Sequence, residues 1–398
     1  MGSNSLFLCG RNGIFRSLLL SQSRPLNASQ AVACMDGRYL SSTARDTRVA
    51  GRSRFYKVVG VSDVSPPWES YQDLLEKKSS QKGDSIENPI SAGVDGSPSG
   101  VTKSISLNDE TKKATYEKMR QMLSIPGIER NGDSKWYGIT LDGSLLRTPL
   151  GHIPVSVPSY PLACAIAAEW NDQNTTIQPA QMPLMTLCCT ALDQAAIQPD
   201  LIVENCLRYL RNDTTCYLAD PVEDRVLYRK QTKHWSPLHQ WINSLFVSTD
   251  DTKGNSQKAS LAIATGADEG LIMSRARRKA AGLPHPQTLI DNIEKWCQSL
   301  DAWSLTALQT VAMEAKSFSV GMAVVQGAST DGDQVPYQKE TKTAVYACRV
   351  EEEFQIDNWG LVEGGHDYDR LNCSIQVHAA TLLVEAITAT KSNYVTTE

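Results

Sequence analysis

The chain has 398 residues, 41% hydrophobic and 21% charged, with a formal net charge of −5. It is long enough for two domains and a sizeable core, and its mildly acidic balance excludes the basic composition of a nucleic-acid or anionic-membrane binder. Its ten cysteines are scattered, with Cys188 and Cys189 adjacent and no C-x-x-C pair or zinc-module spacing. Cys164, Cys188, Cys206 and Cys297 therefore read as small buried apolar residues in a reducing compartment.

Taken in chain order, the first 35 residues carry Arg11, Arg16 and Arg24 and no acidic residue. Ser, Leu and Phe fill the spaces, and the short apolar runs are broken by arginine, which fits a transit peptide better than a secretory signal. The sequence RYLSS (Arg38 to Ser42) is similar to a matrix-protease cleavage site and places the expected mature start near Ser41. A targeting segment is thus expected over residues 1–50. No later stretch reaches the roughly 18 apolar residues of a membrane span, so none is expected.

Beyond RSRFYKVVGV the chain becomes rich in Ser, Gly, Lys and Asp. Too little apolar surface is available there to offset ordering entropy, so a mostly disordered insertion is expected at about 62–134, with a short helix over ATYEKMRQMLS. Alternation over KWYGITLDGSLL predicts two strands joined by a tight turn at Asp142-Gly143. Pro149, Pro154 and Pro158 confine the next stretch of chain to a sheet edge or loops.

From Leu162 the period becomes helical. LACAIAAEWND is rich in helix formers, and PDLIVENCLRYLRND puts Leu201, Val203, Cys206, Leu207 and Leu210 on one face. In DRVLYRKQTKHWSPLHQWINSLF the expected stripe is Leu227, His234, Leu238, Trp241 and Leu245. A second polar insertion is expected at about 247–280. DAWSLTALQTVAMEAKSFSVGMAVV reads as one central buried helix, and YQKETKTAVYACRVEEEFQIDNW and DYDRLNCSIQVHAATLLVEAITA as the last two. The fold class is α+β: a small β-rich N-terminal domain over residues 51–195, then a larger all-helical domain over 196–392.

Nucleotide, metalloprotease and serine-hydrolase signatures are missing from the sequence. His234 and His239 diverge on a helix, and His378 falls on an apolar side, reading as a hydrogen-bonded core residue. The remaining concentration of chemistry is EEEFQIDNWGLVEGGHDYD (351–369), with seven carboxylates, one histidine and one tryptophan. A metal-dependent hydrolase using Glu352, His366, Asp367 and Asp369 is one reading. Against it, consecutive glutamates diverge around a helix, no calcium loop matches, and Asp367 sits where a helix N-cap is wanted. Glu353 reads as solvated. Glu351, Gln355 and Trp359 repeat at i, i+4 and i+8 beside an apolar stripe of Ala347, Val350 and Phe354, describing a partly recessed polar site for a cationic or N–H-donating partner. On the residues alone, an interaction surface and a plain structural helix stay equally open.

The blocks RFYKVV, WYGITLDGSLLRTPLGHIPVSVPS, LACAIAAEWNDQ, IQPAQMPLMTLCCTALD and VEEEFQIDNWGLVEGGHDYD together resemble the mitochondrial assembly chaperones of the ATP synthase catalytic sector, the family that holds the unassembled alpha subunit. The resemblance spans about residues 51–60 and 135–390. It implies the α+β fold above, no enzymatic activity, no cofactor and no metal. It also implies a mitochondrial-matrix protein that binds the alpha subunit and yields it to beta, and a monomer is expected. An acidic position of the E-E-x-x-Q-x-x-x-W-G block is required in the family. Carried onto this sequence, the functional residues are Glu351, then Glu352, with Gln355, Trp359 and Gly360. The two insertions are longer than the family pattern.

Overall fold

The computed structural model describes residues 51–69, 109–125, 135–246, 260–266, 282–330, 335–338 and 340–395. The expected targeting segment lies outside these residues, as does most of both polar insertions. Both insertions contain described elements, among them the helix expected over ATYEKMRQMLS. Strand β1 (Val59–Val64) reaches into the first, and helix α1 (Asp109–Leu123) occupies its later part because Met119 and Leu123, one turn apart, are buried. The second contains a short strand, Ala264–Thr265.

Two compact units make up the chain. One comprises Arg52–Ile202, Ser299–Thr306 and the stretch from Leu383, and the other Val203–Gln298 and Ala307–Leu382. The first break falls at 202/203, and two late segments count with the early unit. Sequence order cannot reveal such a return.

In the early unit, β1 pairs antiparallel with β2 (Trp136–Leu141), from Val59 opposite Leu141 to Val64 opposite Trp136. Strands β3 (Ser144–Leu145) and β4 (Ser156–Val157) both pair antiparallel with β2. The expected Asp-Gly turn is present, with φ of 48° at Asp142 and 81° at Gly143, the conformation of a tight two-residue hairpin. Asp142 also accepts from the Lys57 and Val58 backbone N–H groups, which hold its carboxyl below the usual range.

Three further locks fix this unit. Arg54 donates to the Asn171 and Gln173 carbonyls, and the Tyr56 hydroxyl donates to the Trp170 carbonyl at 2.6 Å, tying the entering chain to the end of α2 (Tyr160–Asn171). The Glu169 carboxylate accepts from Leu184 N and Met185 N, both at 2.8 Å, at the start of α3 (Pro183–Thr190). Asp193, in a single π-helical turn, accepts from the Thr148 hydroxyl, Leu150 N and Gly151 N. These residues fall inside the first four blocks that carry the family resemblance. Cys188 is buried there, whereas Cys164 is exposed on α2, against expectation.

The other unit is mostly helical but not entirely so. Helix α4 (Pro199–Arg211) buries Val203, Cys206, Leu207 and Leu210 as its period predicts, while Leu201 is only partly buried and Ile202 is buried in its stead. Strand β5 (Tyr217–Leu218) pairs parallel with β6 (Ala264–Thr265). In α5 (Arg225–Leu245) the buried stripe is Leu227, Gln231, Trp235, Leu238 and Ile242. Leu227 and Leu238 are buried as expected, whereas His234 and Trp241 are only partly buried and Leu245 is exposed. After α6 (Gln287–Gln298), the expected single core helix is two, α7 (Ala302–Ala315) and α8 (Phe318–Ser329). Lys316 takes φ of 51°, and Ser317 caps α8 by accepting from Val320 N, which breaks the helix despite continuous apolar character.

The next expected helix is also two, α9 (Thr341–Cys348) and α10 (Val350–Trp359), separated at Arg349. The last, α11, runs His366–Val395. Asp367 therefore sits in its first turn rather than capping it, where a carboxylate still suits the positive end of the helix. His378 is exposed, with Nδ1 2.7 Å from the Ser374 carbonyl. Among the described residues, the stretch His366–Ser392 of α11 is long and apolar enough to cross a membrane by length and composition. Its buried Cys373, Val377, Ala380, Val384 and Ile387 recur every three or four residues, the pattern of a one-sided core helix.

Candidate functional site

The base of the site is a small apolar cluster of Trp235, Ala347 and Val350, with Leu218, Tyr337 and Tyr346 packed against it. Trp235 Nε1 donates to the Ala347 carbonyl at 3.0 Å, capping the end of α9 and fixing it against α5. Arg349 leaves the helical conformation, with φ of −123°, and restarts the chain as α10. Three glutamates then occupy the first turn, where the helix dipole favours them.

Each glutamate has a different environment. Glu351 points inward, and its Oε1 accepts from Gln231 Nε2 at 2.8 Å. Gln231 is itself buried, and its Oε1 accepts from Ala219 N at 2.7 Å, so one amide links the loop after β5 to α10. Burial pushes the Glu351 carboxyl up to about 7. The Gln231 hydrogen bond and Lys316 oppose the shift, while Glu352 adds to it. Glu352 is more exposed and lies 3.3 Å from Arg349 Nη1. Glu353, expected to be solvated, is instead the most engaged of the three, meeting both Arg349 and Arg370. The Arg370 hydrogen bond is the main cause of its lowered pKa, and it ties α10 to α11.

The stripe Glu351, Gln355 and Trp359 starts recessed and ends in solvent. Gln355 is half-buried, and Trp359 is 75% exposed, not at the core boundary. Lys230 on α5 pairs with Asp357 at 2.5 Å, giving α10 a second tether. Gly360 ends the helix with φ of 87° and ψ of 164°, a conformation open almost only to glycine, and its N–H donates to the Ile356 carbonyl. Ala347 and Val350 are buried as the period requires, and Phe354 is half-buried.

The arrangement does not suit the hydrolase reading. Among the described residues, no three His, Cys, Asp or Glu side chains converge as a metal would need. His366 Nδ1 accepts from Val362 N, closing the turn before α11. What the sequence reading missed is Gln231, 120 residues from its partner. The available signal was a polar residue four positions from both Leu227 and Trp235, a spacing that became informative once Trp235 was known to face inward.

Residues 123–243 match the family described as ATP12 chaperone protein. Protein ATP12, mitochondrial, of Saccharomyces cerevisiae is 24% identical over 317 residues, covering 75% of this chain and 94% of the yeast protein. Protein atp12, mitochondrial, of Schizosaccharomyces pombe is 25% identical over 257 residues, covering 63% and 77%. The chain resembles the ATP12 chaperone family. ATP12 proteins are chaperones of ATP synthase assembly and not enzymes. A crystal structure of Atp12 from Paracoccus denitrificans is similar at a TM-score of 0.49, with 26% identity and coverage of 63% of this chain and 91% of that one. The α10 site lies outside the stretch 123–243 that matches the ATP12 family.

Proposed function

We propose that this ATP synthase assembly chaperone acts in the mitochondrial matrix as a monomer and holds the unassembled alpha subunit of the catalytic sector. The surface assigned to that task is α10, with Glu351, Glu352, Gln355, Trp359 and Gly360. The observation that carries the reading is an exposed tryptophan at the end of a helix whose other end is anchored by the recessed Glu351. Tryptophan is a common anchor at protein interfaces, and a lone subunit exposes apolar surface that aggregates unless covered. Glu351 is a positioning group in this scheme. It fixes α10 through Gln231, while Trp359 makes the contact. Release by competition with the beta subunit needs no nucleotide, in keeping with a sequence that carries no phosphate-binding motif.

The test is light scattering from isolated alpha subunit with and without equimolar chaperone. Suppression is expected, and it should fall about tenfold in potency for Trp359→Ala while the melting temperature stays unchanged. Undiminished aggregation at equimolar wild-type protein would overturn the client assignment.

A further inference from the structure

The connection between α10 and α11 exposes more than Trp359. Leu361 (44%), Val362 (60%), Tyr368 (72%) and Leu371 (58%) are also exposed, which places five large apolar side chains within residues 359–371. Single exposed apolar residues are ordinary, but such a concentration on one connection marks an interaction surface.

These side chains stand on a fixed support. Gly360 N donates to the Ile356 carbonyl, Gly365 N and His366 N both donate to the Val362 carbonyl, and Val362 N donates to His366 Nδ1. Glu353 joins Arg349 and Arg370 beneath the turn. Tyr368 and Leu371 are three apart on α11 and so share a face. A preorganised apolar ridge loses little further freedom on docking.

The rim selects the partner. Between residues 351 and 371 there are seven carboxylates and one arginine, and that arginine is engaged by Glu353. Asp357, Glu363, Asp367 and Asp369 are exposed around the apolar residues. A second copy of this chain docking through the same ridge would bring acidic rim against acidic rim, which disfavours self-association.

We propose that the ridge of Trp359, Leu361, Val362, Tyr368 and Leu371 is the docking surface for a segment of the unassembled alpha subunit that presents apolar side chains bordered by lysine or arginine. This rests on the client assignment above and extends it to four residues beyond the α10 stripe.

The test uses full-length chaperone and isolated alpha subunit in a direct binding assay. Val362→Ser/Leu371→Ser should weaken binding about tenfold or more, with circular dichroism and melting temperature unchanged because both side chains are exposed. Tyr368→Ser serves as an independent variant with the same expected direction. Glu363→Gln/Asp367→Asn/Asp369→Asn should slow association several-fold at low salt, and the difference should vanish at high salt. If wild-type protein binds alpha and all three variants bind equally well, the ridge is overturned while the client assignment stands. If wild-type protein does not bind alpha, the client assignment fails and the ridge with it. A wild-type dimer in sedimentation that Val362→Ser/Leu371→Ser dissolves would overturn the ridge in favour of self-association.

Discussion

Glu169 and Glu351 are both partly buried carboxyls pushed up to about 7, yet their surroundings differ. Glu169 accepts two backbone N–H groups at the start of α3, so it completes a helix end and both its oxygens are occupied. Glu351 is held through one oxygen by one side-chain amide, on a helix that leads to exposed apolar residues. The same side-chain chemistry therefore closes structure in one region and sets the position of a surface in the other. A perturbed carboxyl alone does not distinguish these roles, whereas its partners do.

The largest effect that would sharpen this contrast is expected from Glu169→Ala. Stranding two N–H groups at the buried start of α3 should cost about 3 kcal/mol or more, read by chemical denaturation. Alpha-subunit binding per folded molecule should be unchanged, and a selective loss of binding at preserved stability would erase the distinction between the two regions.

Next comes the pH dependence of Glu351. Its folded pKa of about 7 lies above the ordinary 4.5, so the folded state holds more protons between those values. Its contribution to stability is therefore full below pH 4.5 and declines as pH rises to 7, by up to about 3 kcal/mol. Glu351→Gln retains an acceptor for Gln231 and should remove that part of the decline, which denaturation midpoints at pH 5 and pH 8 would reveal. Identical slopes in variant and wild type would show that the carboxyl is not recessed. Glu351→Lys is the poorer probe, because it sets an ammonium beside the Gln231 amide and Lys316.

Gly360→Ala should cost about 1–3 kcal/mol because alanine is strained at φ of 87°. It should also weaken alpha-subunit binding by re-aiming the turn, and full binding at reduced stability would show that the turn conformation does not matter to docking. The smallest effect is expected from Lys230→Ala. Its pair with Asp357 is largely exposed, so the change in denaturation free energy should stay within about 0.5 kcal/mol. A larger loss would place this tether among the structural locks.

Periodicity and turn chemistry carried far in the sequence. The Asp142-Gly143 hairpin, the buried face of α4 and the Ala347–Val350 stripe all follow from local pattern, since each depends on residues within a few positions. The family resemblance was legible for a related reason. Four of its blocks contain Arg54, Tyr56, Asp142, Glu169 or Asp193, whose hydrogen bonds fix specific backbone groups and so demand specific side chains.

What the sequence determined by itself was the fold class, the helical register where an apolar stripe is regular, and a helix ending at Trp359, though not its break at Arg349. Only the tertiary structure decided that α7 and α8 are separate, that Gln231 rather than a histidine meets the site, and that Glu353 is engaged while Trp359 is free. Those outcomes depend on a partner 120 residues away for Glu351, on the turn that brings Arg370 back to Glu353, or on a backbone reversal at one residue, such as Lys316. A linear pattern carries no distance information across such separations. Hydrogen bonding and burial in three dimensions select among arrangements that local propensity leaves nearly equal in energy.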